Sequence, residues 1–555
     1  MACITPSSAA ISPRAATNRP VFYSITSSTT HDMSYKEFLN SKIRKIIKSG
    51  FYIPEGALNP SMFNFQRFIV SRALEAGKYA IFADCGLGKT FMQLEWSYRV
   101  SLHTGKPVLI LAPLAVVGQT QQECAKFDIQ ADLIHVVNYE QIDNIDAGIY
   151  GGVVLDESSI LKNFEGATKQ LIIDKFKYTP YKLACTATPS PNDPMELGNH
   201  AEFLDVMSRN EMLAMYFVHD GGETSKWRIK GHAVKKFYQF VGSWAIMLSK
   251  PSDIGFDMPG YELPTLNILE NQIVTPEREN GQLFNETAIS ATNFNKELRL
   301  TKFERLTEVV EIVNSRPGEN FIIWIKQNEE GEELRKMLPG AVEVKGSDTN
   351  DYKKSKLLGF ANNEFRILIT KTKIASFGMN YQNCHNQIFA SLDFSFEALY
   401  QAIRRSYRFG QKQAVNIYLI TTDTMTNVIQ SINNKQKQFE IMQHEMAEAV
   451  NAHLNDNLNA DMDIDTATVE NEFYKLQCGD SFELIQEIKS ESIDTCFFSP
   501  PFSSLYTYSN STADLSNCLS HDEFYKHFEF MVPQLYRIMK SGRHIGMHVT
   551  QLTTG

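Results

Sequence analysis

From about residue 50 the chain alternates short apolar, β-rich runs with stretches of helical period. The runs at 79–83, 108–112, 153–155 and 182–185 read as buried parallel strands, with helices over 89–103 and 115–127 between them. A second series begins near 300. Strands are predicted at 321–325, 342–344, 366–370, 387–390 and 416–420, and helices at 302–314, 328–337 and 396–407. Two successive βα arrays predict an α/β protein with two doubly wound parallel sheets, joined through a less regular region near 205–300. Residues 444–470 read as a helix tail followed by an acidic linker, and a further βα start follows from Gly479.

At 555 residues the chain is too long for one core, so two to four domains are expected. The reading taken here is a tail over 1–32, a first lobe over 33–265, a second over 266–440, an acidic linker over 441–470 and a last domain over 471–555. The tail is rich in Ser, Thr, Ala and Pro and cannot bury a core. It vaguely suits a transit peptide, but a true start at Met33 is the simpler account. With 43% hydrophobic and 21% charged residues, wholesale disorder is excluded. No apolar run approaches the ~20 residues of a membrane helix. The 8 cysteines include no C-x-x-C pair, which argues for a reducing compartment such as the cytoplasm. The net charge of −10 is local: 14 acids against two bases lie between Glu440 and Cys496. A basic groove for nucleic acid is therefore compatible with the acidic total.

The segment A-D-C-G-L-G-K-T from 83 to 90 fits the P-loop pattern, with Ala in place of the first Gly, and it stands between a strand and a helix. Gly86, Leu87 and Gly88 would wrap phosphates with backbone N–H groups at a helix N-terminus. Lys89 would reach the β- and γ-phosphates of ATP, and the Thr90 hydroxyl would bind Mg²⁺. The run V-V-L-D-E-S-S from 153 to 159 is an apolar strand ending in two carboxylates. Asp156 would hold the Mg²⁺ through water, and Glu157 would polarise the attacking water.

The order of motifs then resembles a superfamily 2 helicase or translocase, closest to its Swi/Snf-type branch and to helicase-like proteins of phages and restriction systems. F-Q-R at 65–67, the P-loop, L-A-P-L at 111–114, D-E at 156–157 and T-A-T-P at 186–189 match the first lobe. I-T-K-T-K-I-A-S-F-G-M-N at 369–380 and Q-A-I-R-R-S-Y-R-F-G-Q at 401–411 match the second. The resemblance implies two tandem RecA-like lobes hydrolysing ATP between them and moving along DNA, expected to be double-stranded and held by its backbone. It implies that Gln66 bonds the adenine edge, that Gln401 lies near the phosphates or the catalytic carboxylate, and that Arg405 and Arg408 reach across the cleft. Arg408 is the expected arginine finger. Thr186 and Thr188 would couple hydrolysis to lobe movement, and Gly378 would let the second lobe's backbone approach the nucleotide. The box reads D-E-S-S, so the usual subgroup labels do not apply. The alternative weighed is an ATP-gated clamp or scaffold serving a methyltransferase. Nothing in the chain fixes an oligomeric state.

Ser499, Pro500, Pro501 and Phe502 follow the apolar run 495–498 and resemble the catalytic motif of DNA amino-methyltransferases acting on adenine or cytosine. In that family's geometry Ser499 and the Pro500 carbonyl accept from the exocyclic amine, while Phe502 stacks on a flipped base. The resemblance implies a partial Rossmann-like methyltransferase domain. No glycine-rich loop for S-adenosylmethionine appears after Phe502, so that cofactor is expected only if the domain were complete. Methylation is then an activity not expected of this chain, or, in a second alternative, the principal one with the motor as accessory.

Overall fold

In a computed structural model the described residues are 33–42, 48–127, 129–162, 166–220, 223–275, 291–374, 379–454, 466–501, 511, 513–515, 518 and 521–549. The 1–32 tail, Gly378 and Phe502 lie outside them. The first sheet is built from β1 (Lys78–Ala83), β2 (Val108–Ala112), β3 (Ile134–Asn138), β4 (Gly152–Asp156) and β5 (Tyr181–Cys185). A hairpin, β6 (Phe217–Asp220) and β7 (Glu223–Ile229), precedes the last member, β8 (Ala245–Leu248). The strand order is β3-β2-β4-β5-β1-β8 and every pairing is parallel.

The second sheet contains β9 (Leu266–Ile273), β10 (Phe321–Trp324), β11 (Val342–Val344), β12 (Ile367–Thr370), β13 (Asn386–Phe389) and β14 (Val415–Thr422). Its order is β11-β12-β10-β13-β14-β9, again wholly parallel. Both sheets are doubly wound α/β lobes, as the pattern predicts. Parallel strands covered by helices on both faces must be apolar throughout. The fully buried, wholly apolar β2 and β10 meet that demand; β5 and β13 are as buried but carry Lys182, Asn386 and Gln387, each with hydrogen-bond partners. The strands the pattern missed are β3, β8 and β9. The last is an edge strand with polar residues at 270–272, and it reads as loop because only part of it is covered.

The expected helix over 396–407 ends early, at Ile403. The N–H groups of Arg405 and Ser406 turn back to the carbonyls of Ala402 and Ile403, tightening the last turn, and Gly410 lies at φ 87°. The three arginines at 404, 405 and 408 therefore sit on a turn pointing in different directions, not on one helix face.

A 29-residue helix, Thr426–Leu454, leaves β14 and crosses to the first lobe. Its Phe439, Met442 and Met446 share one buried cluster with Phe237 and Trp244 of lobe one and with Phe396 and Leu399 of lobe two. Val450 reaches the other core of lobe one. Beyond it lie the hairpin β15 (Ala467–Glu470) and β16 (Lys475–Cys478), then β17 (Ile493–Phe498) and β18 (Met539–Met547), which pair parallel. Helices His521–Glu529 and Met531–Ile538 form the crossover between the last two strands.

Lobe two is pinned by a fully buried ion pair. Arg305 Nη2 lies 2.9 Å from Glu330 Oε1, with neither side chain exposed. The same guanidinium donates to the carbonyls of Leu298 and Ala390. Glu330 in turn accepts from the Lys326 and Gln327 amides and from Ser391. Arg305→Ala should cost about 3–5 kcal/mol, because it strands a buried carboxylate. Lys336→Ala, which removes an exposed pair with Glu333, should cost less than about 0.5 kcal/mol. Urea unfolding followed by hydrogen exchange in β10 and β12 reads both; equal effects would be contrary to this account.

Candidate active site between the lobes

β1 ends at Ala83, and the turn 84–88 delivers the chain to the helix Lys89–Thr104. Gly86 and Gly88 adopt φ 91° and 79°, conformations closed to most side chains. The turn thereby brings its amides and the helix N-terminus to one concavity, which suits an anionic ligand. Lys89 Nζ folds back to the Ala83 carbonyl at 2.8 Å and to that of Asp84 at 3.4 Å. Thr90 is half-buried on the first turn of the same helix.

Asp156 is the last residue of β4 and Glu157 follows it at φ 52°, a strained backbone for a residue with a side chain. Asp156 Oδ1 accepts from Gln93 Nε2 at 2.7 Å, and Glu157 Oε2 accepts from Thr186 Oγ1 at 3.2 Å. Burial pushes both carboxyls above their usual range. The Gln93 hydrogen bond and Lys89 pull Asp156 back down; Lys89 and Arg405 of the other lobe pull Glu157 down, while the neighbouring Asp156 charge pushes Glu157 up. Two adjacent carboxyls beside a lysine and a threonine hydroxyl suit a divalent cation.

The second lobe presents its arginines to this edge. A side-chain carbon placed on Gly86 would lie 3.5 Å from Arg408 Cβ and 3.7 Å from its Nε, so the Arg408 side chain flanks the phosphate turn. The Arg405 Nε is buried with no hydrogen-bond partner among the described residues. A phosphate oxygen would satisfy it, and with the turn, Lys89 and the carboxylates it forms a site that fits a Mg²⁺-nucleotide. Gln401 is half-buried on the helix Phe396–Ile403. Thr188 Oγ1 donates to Glu397 Oε1 at 3.4 Å, and Glu397 also pairs with Lys162, which ties lobe two to lobe one.

Gln66 also has partners within the protein. It is buried, its Nε2 donates to the Leu87 carbonyl at 2.9 Å, and its Oε1 accepts from the Phe63 amide at 3.0 Å. Here it buttresses the P-loop. Sequence reasoning also missed Arg404, which is buried against Asp84. A cavity of about 440 Å³ lies beside that pair, walled by Tyr261, Leu266, Tyr400, Tyr407 and Phe439. Tyr261 stacks on Phe409 at 4.3 Å between ring centres. Ser499, Pro500 and Pro501 stand apart from this cleft, at the C-terminal end of β17, where Ser499 Oγ lies 3.3 Å from His548 Nδ1.

Residues 301–410 match the helicase conserved C-terminal domain. The chain is 23% identical over 499 residues to the chromatin remodeling factor mit1 of Schizosaccharomyces pombe, across 75% of this chain. It is 27% identical over 177 residues to putative protein p41 of Acyrthosiphon pisum secondary endosymbiont phage 1, across 25% of this chain. The matched regions span 34% and 38% of those relatives' own lengths. Among solved structures, the Sulfolobus solfataricus SWI2/SNF2 ATPase core in complex with dsDNA is 16% identical, with TM-score 0.33, covering 73% of this chain and 96% of that one. The Pyrococcus furiosus Hef helicase domain is 13% identical, with TM-score 0.41, covering 67% and 98%. Among the described residues no helix is long and apolar enough to cross a membrane.

The fit between Gly88 and Gln66 is testable. A Cβ on Gly88 would fall 2.3 Å from Gln66 Nε2. Gly88→Ala should therefore cost about 1–2 kcal/mol from its left-handed backbone, and also unseat Gln66 from Leu87. In a melting-temperature cycle Gln66→Ala should then add little on top of Gly88→Ala. Full additivity would mean that the two do not touch.

Proposed function

We propose that the protein is an ATP-driven DNA translocase that hydrolyses ATP between its two lobes. The observation that carries this reading is the meeting of Lys89, Asp156 and Glu157 from lobe one with Arg405 and Arg408 from lobe two at one buried cleft. Lys89 and the amides of 86–89 would hold the phosphates; Thr90 and Asp156 would hold Mg²⁺, which neutralises charge there. Glu157 would orient a water, with Thr186 fixing its carboxyl. Arg405 and Arg408 would meet charge that develops only as the lobes close. Three features support DNA as the track: the Swi/Snf-like motif set, the remodeling-factor relative and the S-P-P-F segment. The relative from a phage favours a prokaryotic or phage setting. The module carrying Ser499, Pro500 and Pro501 is read as methyltransferase-like, supported by the placement of this turn at the end of a parallel strand.

The deciding measurement is ATP turnover with double-stranded DNA, single-stranded DNA and RNA as stimulants, with displacement of a triplex strand to separate a motor from a clamp. Double-stranded DNA should stimulate most; no turnover under any condition would sink the reading. Lys89→Ala should lose ATP binding. Glu157→Gln should keep ATP bound but unhydrolysed, and a near wild-type rate would remove Glu157 from its assigned role. Arg408→Ala should leave nucleotide affinity within a few-fold and slow hydrolysis by roughly 10³, the scale of a lost arginine finger.

A further inference from the structure

Asp84 is the first residue of the phosphate turn and is almost fully buried. Its amide donates to the Leu248 carbonyl at 3.0 Å, which fixes the turn to β8. Its carboxylate accepts the Cys85 amide at 2.6 Å and, from 320 residues away, Arg404 Nε at 3.0 Å. The second carboxylate oxygen pairs with Arg404 Nη2. The contact is a two-pronged guanidinium–carboxylate pair, the geometry that gives arginine its directionality. Arg404 is itself held. It follows the last residue of the helix Phe396–Ile403, and its guanidinium lies 5.7 Å and 5.4 Å from the ring centres of Tyr400 and Tyr407. Asp84 belongs to the turn by its backbone, and neither its carboxylate nor the Arg404 guanidinium is among the side chains assigned above to nucleotide or Mg²⁺.

We infer that Asp84 and Arg404 form a latch between the lobes that sets how readily the cleft closes, and hence the apparent affinity for nucleotide. The inference rests on the ATPase reading for its kinetic consequence but not for its structural one. When the lobes part, both charges regain water; when they close, each loses it and gains the other. The intact pair therefore makes closure nearly neutral in charge. With one partner neutralised, closure buries a lone charge, and the closed state becomes rare. Apparent affinity falls in proportion to the fraction of competent molecules. With both neutralised no charge is stranded, and closure is again tolerated. Asp84 and Arg404 are positioning residues in this scheme, because they act on the nucleotide only through the distance between lobes.

The test uses the full chain with Asp84→Asn, Arg404→Gln and the double variant, each checked for folding by circular dichroism. Each single change should raise the KM for ATP by about tenfold or more, as closed molecules become scarce. Because Lys89, Glu157, Arg405, Arg408 and the whole 84–88 turn remain in Arg404→Gln, its kcat should stay within a few-fold, and that variant carries the split between KM and kcat. The double variant should return KM to within about threefold of the parent, a coupling that only residues in contact produce. Small-angle scattering without nucleotide should show a larger radius of gyration for each single variant and recovery in the double. Arg404→Lys, which keeps charge but loses the fork, should fall between, and it supplies the same readout if Arg404→Gln does not fold. A double variant as impaired as the sum of the singles, or singles with parental KM and scattering, would overturn the latch. A purely structural pair would lower the melting temperature without separating KM from kcat. If the parent itself turns over no ATP, the functional reading fails, and the scattering series still decides the latch.

Discussion

Two carboxylates buried at the end of β4 impose the condition on which the rest of the cleft depends. Water would stabilise Asp156 and Glu157, and the fold takes it away. Lobe one offers only Lys89 in return, and its ammonium is shared with the carbonyls of Ala83 and Asp84. The remaining positive charge comes from Arg405 in the other lobe. Neither lobe alone balances its own site, so the charge arrangement is complete only when the two are together. Desolvation, normally a liability, thus favours the arrangement in which Lys89 and Arg405 both face the acids.

Closure also needs a mechanical frame. The helix Thr426–Leu454 begins on β14 of lobe two and buries Phe439, Met442, Met446 and Val450 against lobe one. An apolar contact of this length is indifferent to small rotations but opposes wide separation. The polar contacts between the lobes have the opposite character. Asp84–Arg404 and Lys162–Glu397 are directional and short-ranged. The helix limits how far the lobes stray, and the ion pairs define where they meet.

Much of this was legible in the sequence, and what was not has identifiable causes. β1, β2, β4 and β5 were readable because a strand covered on both faces must be apolar, and 108–112 contains nothing else. The P-loop and the D-E pair were readable because their spacing relative to those strands is itself a structural statement. β9 was missed because an edge strand has no such requirement. Arg404 was missed for a different reason. Three arginines within five positions look alike as text, and the predicted helix over 396–407 carries Arg404 and Arg405 in one continuous turn. The helix ends at Ile403, so Arg404 turns to Asp84 while Arg408 flanks Gly86. Gln66 was found, but its partner was not. A glutamine beside a P-loop can bond a base or a backbone carbonyl, and only the left-handed turn at Gly88 shows that the Leu87 carbonyl faces it.

The C-terminal module extends the same reasoning to a part with little core. Phe482, Ile485, Leu515, Met531 and Ile538 are its buried apolar cluster, too few to hold such a unit together well. The helix Tyr35–Lys42 adds what is lacking. Tyr35 stacks on Phe482 at 5.1 Å and bonds Asp480 at 2.8 Å, while Phe38 packs near Phe530 and His527. Lys42 is buried beside His527 Nδ1 at 3.1 Å, where burial and the ammonium hold that imidazole well below its usual range, at about 3. The imidazole is neutral at physiological pH, so it can accept from Lys42 without stranding a second charge. Lys230 of lobe one is pushed down to about 8 by burial, and Asp514 of the module partly restores it. The module is thus docked through residues on either side of the motor's sequence. A ligand held at the Ser499–Pro500 turn would act on a unit packed against residues 35–42, a segment that the chain joins directly to the first lobe.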